Sequence, residues 1–332
     1  MRTKIAIAIP CYKVKQHILN VIRGIPTWVD CIFAIDDACP QQSGNFIVEN
    51  CTDSRVKVLF HKENKGVGGA TITGYRAALE AGCDIVVKMD GDDQMDPGFL
   101  PRLLRPILSG HADFTKGNRF YDFEALRQMP LVRRIGNLGL TILTKAASGY
   151  WNIADPTNGY TAVHTSTLRI LSLDLIAPRY FFETSMLIQL NIVRAVAHDV
   201  PIPARYGSET SSLSIWRALV GFPPRLIAGF FRRLLWRYFI YDINAVTILL
   251  VVGLLSSGFG IGFGLYRWLV IGLAQHQTQS AGTVAVALLP TLLGFQMLLQ
   301  AIVLDLTDRP SIPLSRLVSD KGDPTLSRSP AF

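Results

Sequence analysis

Short apolar runs punctuate the first part of the chain at 5–9, 31–35, 56–61 and 84–89, each closed by residues that favour turns. Runs of this length between turn signals read as buried strands. The stretches of helical periodicity among them, at 17–25, 70–81 and 101–109, predict helices that cover the sheet. Alternation of this kind defines an α/β fold with a mainly parallel central sheet. Further along, the pattern predicts a short strand at 112–116, a helix at 131–148, a loop at 155–160, regular structure at 162–164 and 167–171, a helix at 181–196 and a strand at 197–202.

The pattern then changes in kind. Residues 219–241 interleave Phe222, Leu226, Ile227, Phe230, Phe231, Leu234, Leu235 and Phe239 with arginines, which predicts amphipathic helices lying in a membrane interface and broken at Pro223-Pro224. Two long runs follow, 243–266 and 283–304, and neither contains a charged residue. Each is long enough to cross a hydrocarbon layer about 30 Å thick, and neither has the solvent-facing stripe of a soluble helix. With the polar turn at 275–280 between them they read as a transmembrane hairpin. Gly253, Gly258, Gly260, Gly262 and Gly264 suit close helix packing, and Gln296 and Gln300, on one face, are expected to hydrogen-bond within the pair or at its inner end.

Arg217, Arg225, Arg232, Arg233 and Arg237 precede the first crossing, whereas 268–304 contains no Lys or Arg, so the positive-inside rule puts both termini in the cytoplasm. The apolar run at 5–9 is too short for a signal peptide. The expected organisation is a cytoplasmic catalytic domain at 1–215, amphipathic juxtamembrane helices at 216–242, two transmembrane helices at 243–306 and a flexible cytoplasmic tail at 307–332, with a bacterial inner membrane as the location.

Composition agrees with a membrane protein: mean hydropathy is +0.28 over 332 residues. The formal charge of +8 does not indicate nucleic acid, because the arginines gather beside the apolar runs and do not form a stripe with interleaved aromatics. Anionic membrane lipids are the simpler partner. Cys11, Cys31, Cys39, Cys51 and Cys83 have no metal-like spacing and are expected to be free thiols in a reducing compartment.

The strongest candidate chemistry is Asp90-Gly91-Asp92-Asp93-Gln94-Met95-Asp96-Pro97, directly after the run Ile85-Val86-Val87-Lys88-Met89. Two carboxylates around a glycine at a strand end can hold a divalent cation against a diphosphate. Asp36-Asp37 ends an earlier strand, where one carboxylate is available to base or ribose hydroxyls and the other to a backbone turn. The segment 62–70 is rich in glycine and leads into a helix, so Gly68 and its neighbours have N–H groups available for a nucleotide, or form a helix start without function. Asp155 lies in a turn-forming segment and is available to orient an acceptor or assist deprotonation. Glu183 is a favourable helix-end charge that could also steady the sugar or the Asp155 loop. Arg119 and Arg205 have guanidinium forks that match phosphate oxygens, whereas Lys116 reads as a solvent-facing lysine at a strand end.

Together these segments resemble the family 2 inverting glycosyltransferases of the GT-A fold, most closely the polyisoprenyl-phosphate glycosyltransferases related to dolichyl-phosphate mannose synthase. The likeness covers roughly residues 4–272 and rests on Ile9-Pro10-Cys11-Tyr12, Ile35-Asp36-Asp37, Asn64-Lys65-Gly66-Val67-Gly68-Gly69-Ala70, the Asp90–Pro97 segment, Lys116-Gly117-Asn118-Arg119-Phe120 and Asp155-Pro156-Thr157-Asn158-Gly159-Tyr160. It implies a nucleotide site at Pro10, Tyr12, Asp37 and Asp90, Mg2+ or Mn2+ at Asp92 with Gln94 beside it, and phosphate contacts from Arg205 and 206–213. Lys13-Val14 stands where relatives often have Asn-Glu, and Thr210-Ser211 replaces a frequent Ser-Lys. The implied reaction is inverting transfer of one sugar from a UDP- or GDP-sugar to a polyisoprenyl phosphate. Another lipid or glycan acceptor, or an inactive nucleotide-sugar-binding scaffold, is the alternative. A homo-oligomer is compatible with all of these.

Overall fold

The structure is a computed structural model that describes residues 2–121, 131–203 and 215–320, with side chains omitted for 131–137, 215–220 and 318–320. By internal contacts the chain divides into two units, Met1–Arg233 with Pro310–Phe332, and Leu234–Arg309.

The first unit is built on a seven-stranded sheet: β1 (Ile5–Cys11), β2 (Cys31–Asp36), β3 (Val56–Phe60), β4 (Ile85–Lys88), β5 (Phe114–Asn118), β6 (Thr161–His164) and β7 (Ala197–Pro201), in the order β3-β2-β1-β4-β6-β5-β7. All neighbours run parallel except β6, which is antiparallel to both β4 and β5. β1 and β2 are buried along their whole length, as expected of strands covered on both faces. The covering helices are α1 (Ile18–Gly24), α2 (Ser43–Asn50), α3 (Gly66–Glu80), α4 (Leu100–Leu108), α5 (Leu131–Ser148), α6 (Thr165–Ile170) and α7 (Phe182–Ile192). All five cysteines are free thiols.

The apolar pattern misses α2, because its opening Ser43-Gly44-Asn45 is poor in helix formers. A tertiary contact supplies the missing stability: the buried Asp36 carboxylate accepts the Gly44 N–H at 2.6 Å and the Cys39 N–H at 2.7 Å. Helix α3 begins at Gly66, ahead of the predicted Ala70, because Asp37 accepts the Lys65 and Gly66 N–H groups at 2.8 and 2.7 Å.

Helix α8 (Ile215–Leu235) runs through Pro223 and Pro224 without the predicted break. Each proline removes one donor but has a φ that a helix tolerates. Phe222, Leu226 and Phe230, one turn apart, pack with Phe181 and Ile188 and hold the helix together across that point. Buried Arg233 then donates to the Ala147 and Ala146 carbonyls at 3.1 and 3.2 Å, satisfying the open C-terminal end of α5. Of the tail expected to be flexible, 307–320 lies among the described residues and 321–332 outside them. Leu314–Asp320 is helical, and its Leu314 and Ser315 N–H groups donate to buried Asp113 at 2.9 and 3.0 Å.

The second unit holds α9 (Ala245–Tyr266), extended by a turn of π-helix to Leu273, and α10 (Ala281–Thr307). Both helices are long and apolar enough to cross a membrane, with mean hydropathies of 2.1 and 1.9. They meet along small residues. A Cβ at Gly253 would lie 3.0 Å from the Gly294 carbonyl oxygen, and one at Gly294 would lie 2.7 Å from that of Gly253. Contrary to the sequence reading, Gln296 and Gln300 face away from this seam and are exposed.

Candidate active site

The carboxyl edge of the parallel strands gathers most of the predicted residues, as the topology of open α/β sheets requires. Pro10 lies in buried β1, and Tyr12 just beyond it leaves 44% of its surface open. Asp90 and Asp92 follow β4. Asp92 accepts the Gln94 N–H at 3.1 Å, which fixes the turn of the acidic loop. Gly91 is tightly enclosed, so a Cβ there would come within 3.2 Å of Ile18 and Val14.

Beneath this loop is a residue that the apolar pattern conceals. Lys88 is fully buried, and its Nζ lies 2.7 Å from Asp90 Oδ1, 3.3 Å from the Gly159 carbonyl and 3.5 Å from Glu183 Oε1. Burial alone lowers a lysine, but Asp90 and Glu183 outweigh it and raise this one. A Cβ on Gly159 would stand 2.5 Å from Lys88 Nζ and 2.8 Å from Asp90 Oδ2, so a residue without a side chain is needed where the 155–160 loop crosses the pair.

Lys116 departs from the position expected of it. It is buried, not solvent-facing, and its ammonium donates to the Asn158 carbonyl. Burial pushes it down to about 8, against the pull of Glu183 and Asp155. Asp155 is also buried and accepts from Arg119 in a fork, Nε at 2.7 Å and Nη2 at 3.1 Å, with Thr157 Oγ1 at 3.1 Å. Asp90, Lys88 and Glu183 thus form one ion-paired group and Asp155 with Arg119 a second, and the buried Lys116 ammonium feels the charges of both Glu183 and Asp155. Asp199 flanks the second group, bound by the Ala154 N–H at 2.6 Å and Asn118 Nδ2 at 3.0 Å. Burial, with the nearby Asp155 charge, raises its carboxyl to about 6.

Asp36 and Asp37 have internal duties. The two oxygens of Asp36 accept the N–H groups of Cys39 and Gly44. Asp37 accepts from Lys65 and Gly66 and meets His61 Nδ1 at 2.7 Å, while His61 Nε2 meets Thr73 Oγ1 at 2.9 Å. Together these contacts pin the glycine-rich segment to the end of β2. Gly68 is buried against Ala177 and Phe182, where a Cβ would approach the Ala177 carbonyl within 2.4 Å, so close packing accounts for this glycine. Arg205 and 206–213 lie outside the described residues.

The donor set at 90–94 consists of oxygen atoms, which suits a hard divalent cation. Among the described residues no three His, Cys, Asp or Glu side chains cluster as a complete cation cage. A cation here would therefore share its coordination with phosphate oxygens and water, as Mg2+ commonly does.

An acidic strand end joined to a guanidinium held by a buried carboxylate is the equipment of an enzyme that handles phosphorylated substrates. Residues 6–170 match the family described as Glycosyl transferase family 2. The chain is 31% identical over 232 residues, 66% of its length and 92% of the relative, to a UDP-N-acetylglucosamine–dolichyl-phosphate N-acetylglucosaminyltransferase of Methanococcus voltae. It is 32% identical to an undecaprenyl-phosphate mannosyltransferase of Micrococcus luteus over 52% of this chain and 70% of that one. In fold it is similar to glucosyl-3-phosphoglycerate synthase from Mycobacterium tuberculosis, solved with uridine diphosphate, at a TM-score of 0.51 and 20% identity over 70% of this chain and 80% of that one. The chain belongs to glycosyl transferase family 2 and is related to the polyisoprenyl- and dolichyl-phosphate sugar transferases. It is a glycosyltransferase that uses a nucleotide-sugar donor.

Proposed function

We propose that the enzyme transfers a single sugar, with inversion, from a UDP- or GDP-sugar to a membrane polyisoprenyl phosphate. The observation that carries this reading is the linkage, at one sheet edge, of an acidic loop suited to a cation and a guanidinium suited to a phosphate. Asp90 and Asp92 lie on the donor side, and Arg119, oriented by buried Asp155, lies on the other. Lys88 joins them through Asp90 and the Gly159 carbonyl. The names of the relatives from Methanococcus voltae and Micrococcus luteus support a lipid-phosphate acceptor.

In this reading the exposed Tyr12 ring and Asp90 receive the nucleoside. Asp92, with Gln94 beside it, would hold a divalent cation such as Mg2+ or Mn2+, which when bound would offset the charge of the leaving diphosphate; the solved relative's complex with Mn2+ and UDP-glucose supports that dependence. An acceptor phosphate oxygen attacks the anomeric carbon as the bond to the nucleoside diphosphate breaks on the opposite face. Phosphate monoesters are largely dianionic near neutral pH, so no strong base is needed. Asp155, already paired to a guanidinium, therefore acts as an organiser, and Arg119 orients the acceptor phosphate. Glu183 fixes Lys88 beneath the donor loop.

The test is a screen of UDP- and GDP-sugars with a short polyprenyl phosphate, Mg2+ and Mn2+, using the full chain in lipid nanodiscs and reading products by mass. Polyprenyl phosphate bearing one sugar is expected. Transfer only to a glycan or another lipid, or formation of a polymer, would overturn the acceptor assignment.

A further inference from the structure

Helix α10 carries two seams with the alternating spacing of four and three residues that lets helices pack side by side. Ala287, Thr291, Gly294, Leu298 and Ala301 form the first, and contacts of Gly253 and Gly260 with Gly294, Leu298, Thr291 and Ala287 show it turned toward α9. The second, Val286, Leu289, Leu293, Gln296, Gln300 and Val303, has the same spacing on roughly the opposite face. Every member of it is exposed.

The polar groups of the two seams differ in their partners. On the inner side Ser256 Oγ donates to the Pro290 carbonyl at 3.0 Å, and Thr291 Oγ1 donates to that of Ala287 at 2.7 Å. The Gln296 and Gln300 amides have no hydrogen-bond partner among the described residues. Gln296 stands eleven residues before the Thr307 end of α10, about 16 Å along the axis at 1.5 Å per residue, which is mid-depth for a crossing helix. Lipid tails offer it no partner, and amides at such depth drive helix association.

From the matched spacing and the unpaired amides we infer that the outer seam is the docking face for α10 of a second copy of this chain. The inference rests on the membrane reading above. Two copies inserted in the same direction are related by a two-fold axis along the membrane normal, which sets their α10 helices parallel and brings each residue opposite its own counterpart. An amide suits that symmetry, because it donates and accepts at once and so pairs with itself. Gln296 meets the Gln296 position of the other copy and Gln300 likewise, while Leu289, Leu293 and Val303 interlock around them. Polar residues within an apolar seam also fix its register.

The full-length chain is reconstituted in liposomes over a range of protein-to-lipid ratios, and its oligomeric state is read by single-molecule photobleaching. Carbonate extraction of the same samples reports membrane insertion. Wild type is expected to resist extraction and form dimers. Gln296→Leu/Gln300→Leu should resist extraction equally but need about a tenfold higher ratio for the same dimer fraction, the scale of a few interhelical hydrogen bonds in lipid. An unchanged dimer fraction in the double variant, or a wild type that stays inserted but monomeric, overturns the interface alone. Release of the wild type by carbonate overturns the membrane reading and the interface with it.

Discussion

Lys88 Nζ sits 2.7 Å from Asp90 Oδ1 with no exposed surface of its own, so one buried ammonium secures the carboxylate that opens the acidic loop. It also holds Glu183 at 3.5 Å, on an element distant in sequence. Removing one partner of a buried ion pair leaves the other charge without compensation. Lys88→Met, close to the same volume, should therefore cost about 3 kcal/mol of stability. Thermal melts of the full chain in detergent would show it. Adding Glu183→Gln should recover part of the loss, and a Lys88→Met protein as stable as wild type would remove Lys88 from this role.

Arg119 and Asp155 pair through two parallel N–H···O bonds, a geometry that an ammonium cannot reproduce. Arg119→Lys should keep the charge but lower sugar transfer at least tenfold, mainly through turnover. Asp155→Asn should do the same by releasing the fork. Steady-state kinetics with the lipid acceptor checks both, and near-normal rates in Arg119→Lys would show that bidentate orientation is unimportant.

The strands of the parallel part of the sheet were legible because their signal is local. The apolar run before Asp90-Gly91-Asp92 reads as a strand from its own residues, and the sheet places β4 within a residue of the predicted ends. What stayed hidden depends on distant partners. Lys88 and Lys116 look like strand-end lysines until Glu183, Asp155 and the 155–160 loop close over them. Helix α2 needs Asp36, and the C-terminal helix needs Asp113, some 200 residues away in sequence. The reversed direction of β6 has no periodic signature, since a short apolar strand reads the same in either sense. The outward turn of Gln296 and Gln300 was likewise invisible, because spacing shows that two residues share a face without showing which face meets the neighbour.

Asp199 carries a pH dependence of definite sign. Its carboxyl is raised from 3.8 to about 6 in the folded state, so between those values the folded protein binds more protons than the unfolded chain. Its contribution is therefore greatest at low pH and is lost as pH rises toward 6. Asp199→Asn retains an oxygen for the Ala154 N–H and has no charge to bury. Relative to wild type it should gain stability across that window, by up to about 3 kcal/mol for a shift of this size. Melting temperatures of both proteins from pH 4 to 7 give the difference curve, and a flat difference would contradict it.

Asp113 ties the C-terminal segment to β7 within the first unit by accepting from the Val196, Leu314 and Ser315 N–H groups at 2.9, 2.9 and 3.0 Å, Val196 lying just before that strand. Asp113→Ala removes three charge-assisted bonds at once and should destabilise by about 3 kcal/mol or more. Limited proteolysis should then cut near 309–313, where wild type resists. Equal resistance in the variant would mean that other contacts hold the segment.

The most direct measurement is a crystal structure of the full chain with the nucleoside diphosphate that its donor yields and Mn2+, the ion located by its anomalous scattering. The account predicts the ion between the Asp92 carboxylate and the pyrophosphate, with Asp90 still tethered to Lys88. A bound pyrophosphate remote from Asp90 and Asp92, with no ion between them, would contradict it.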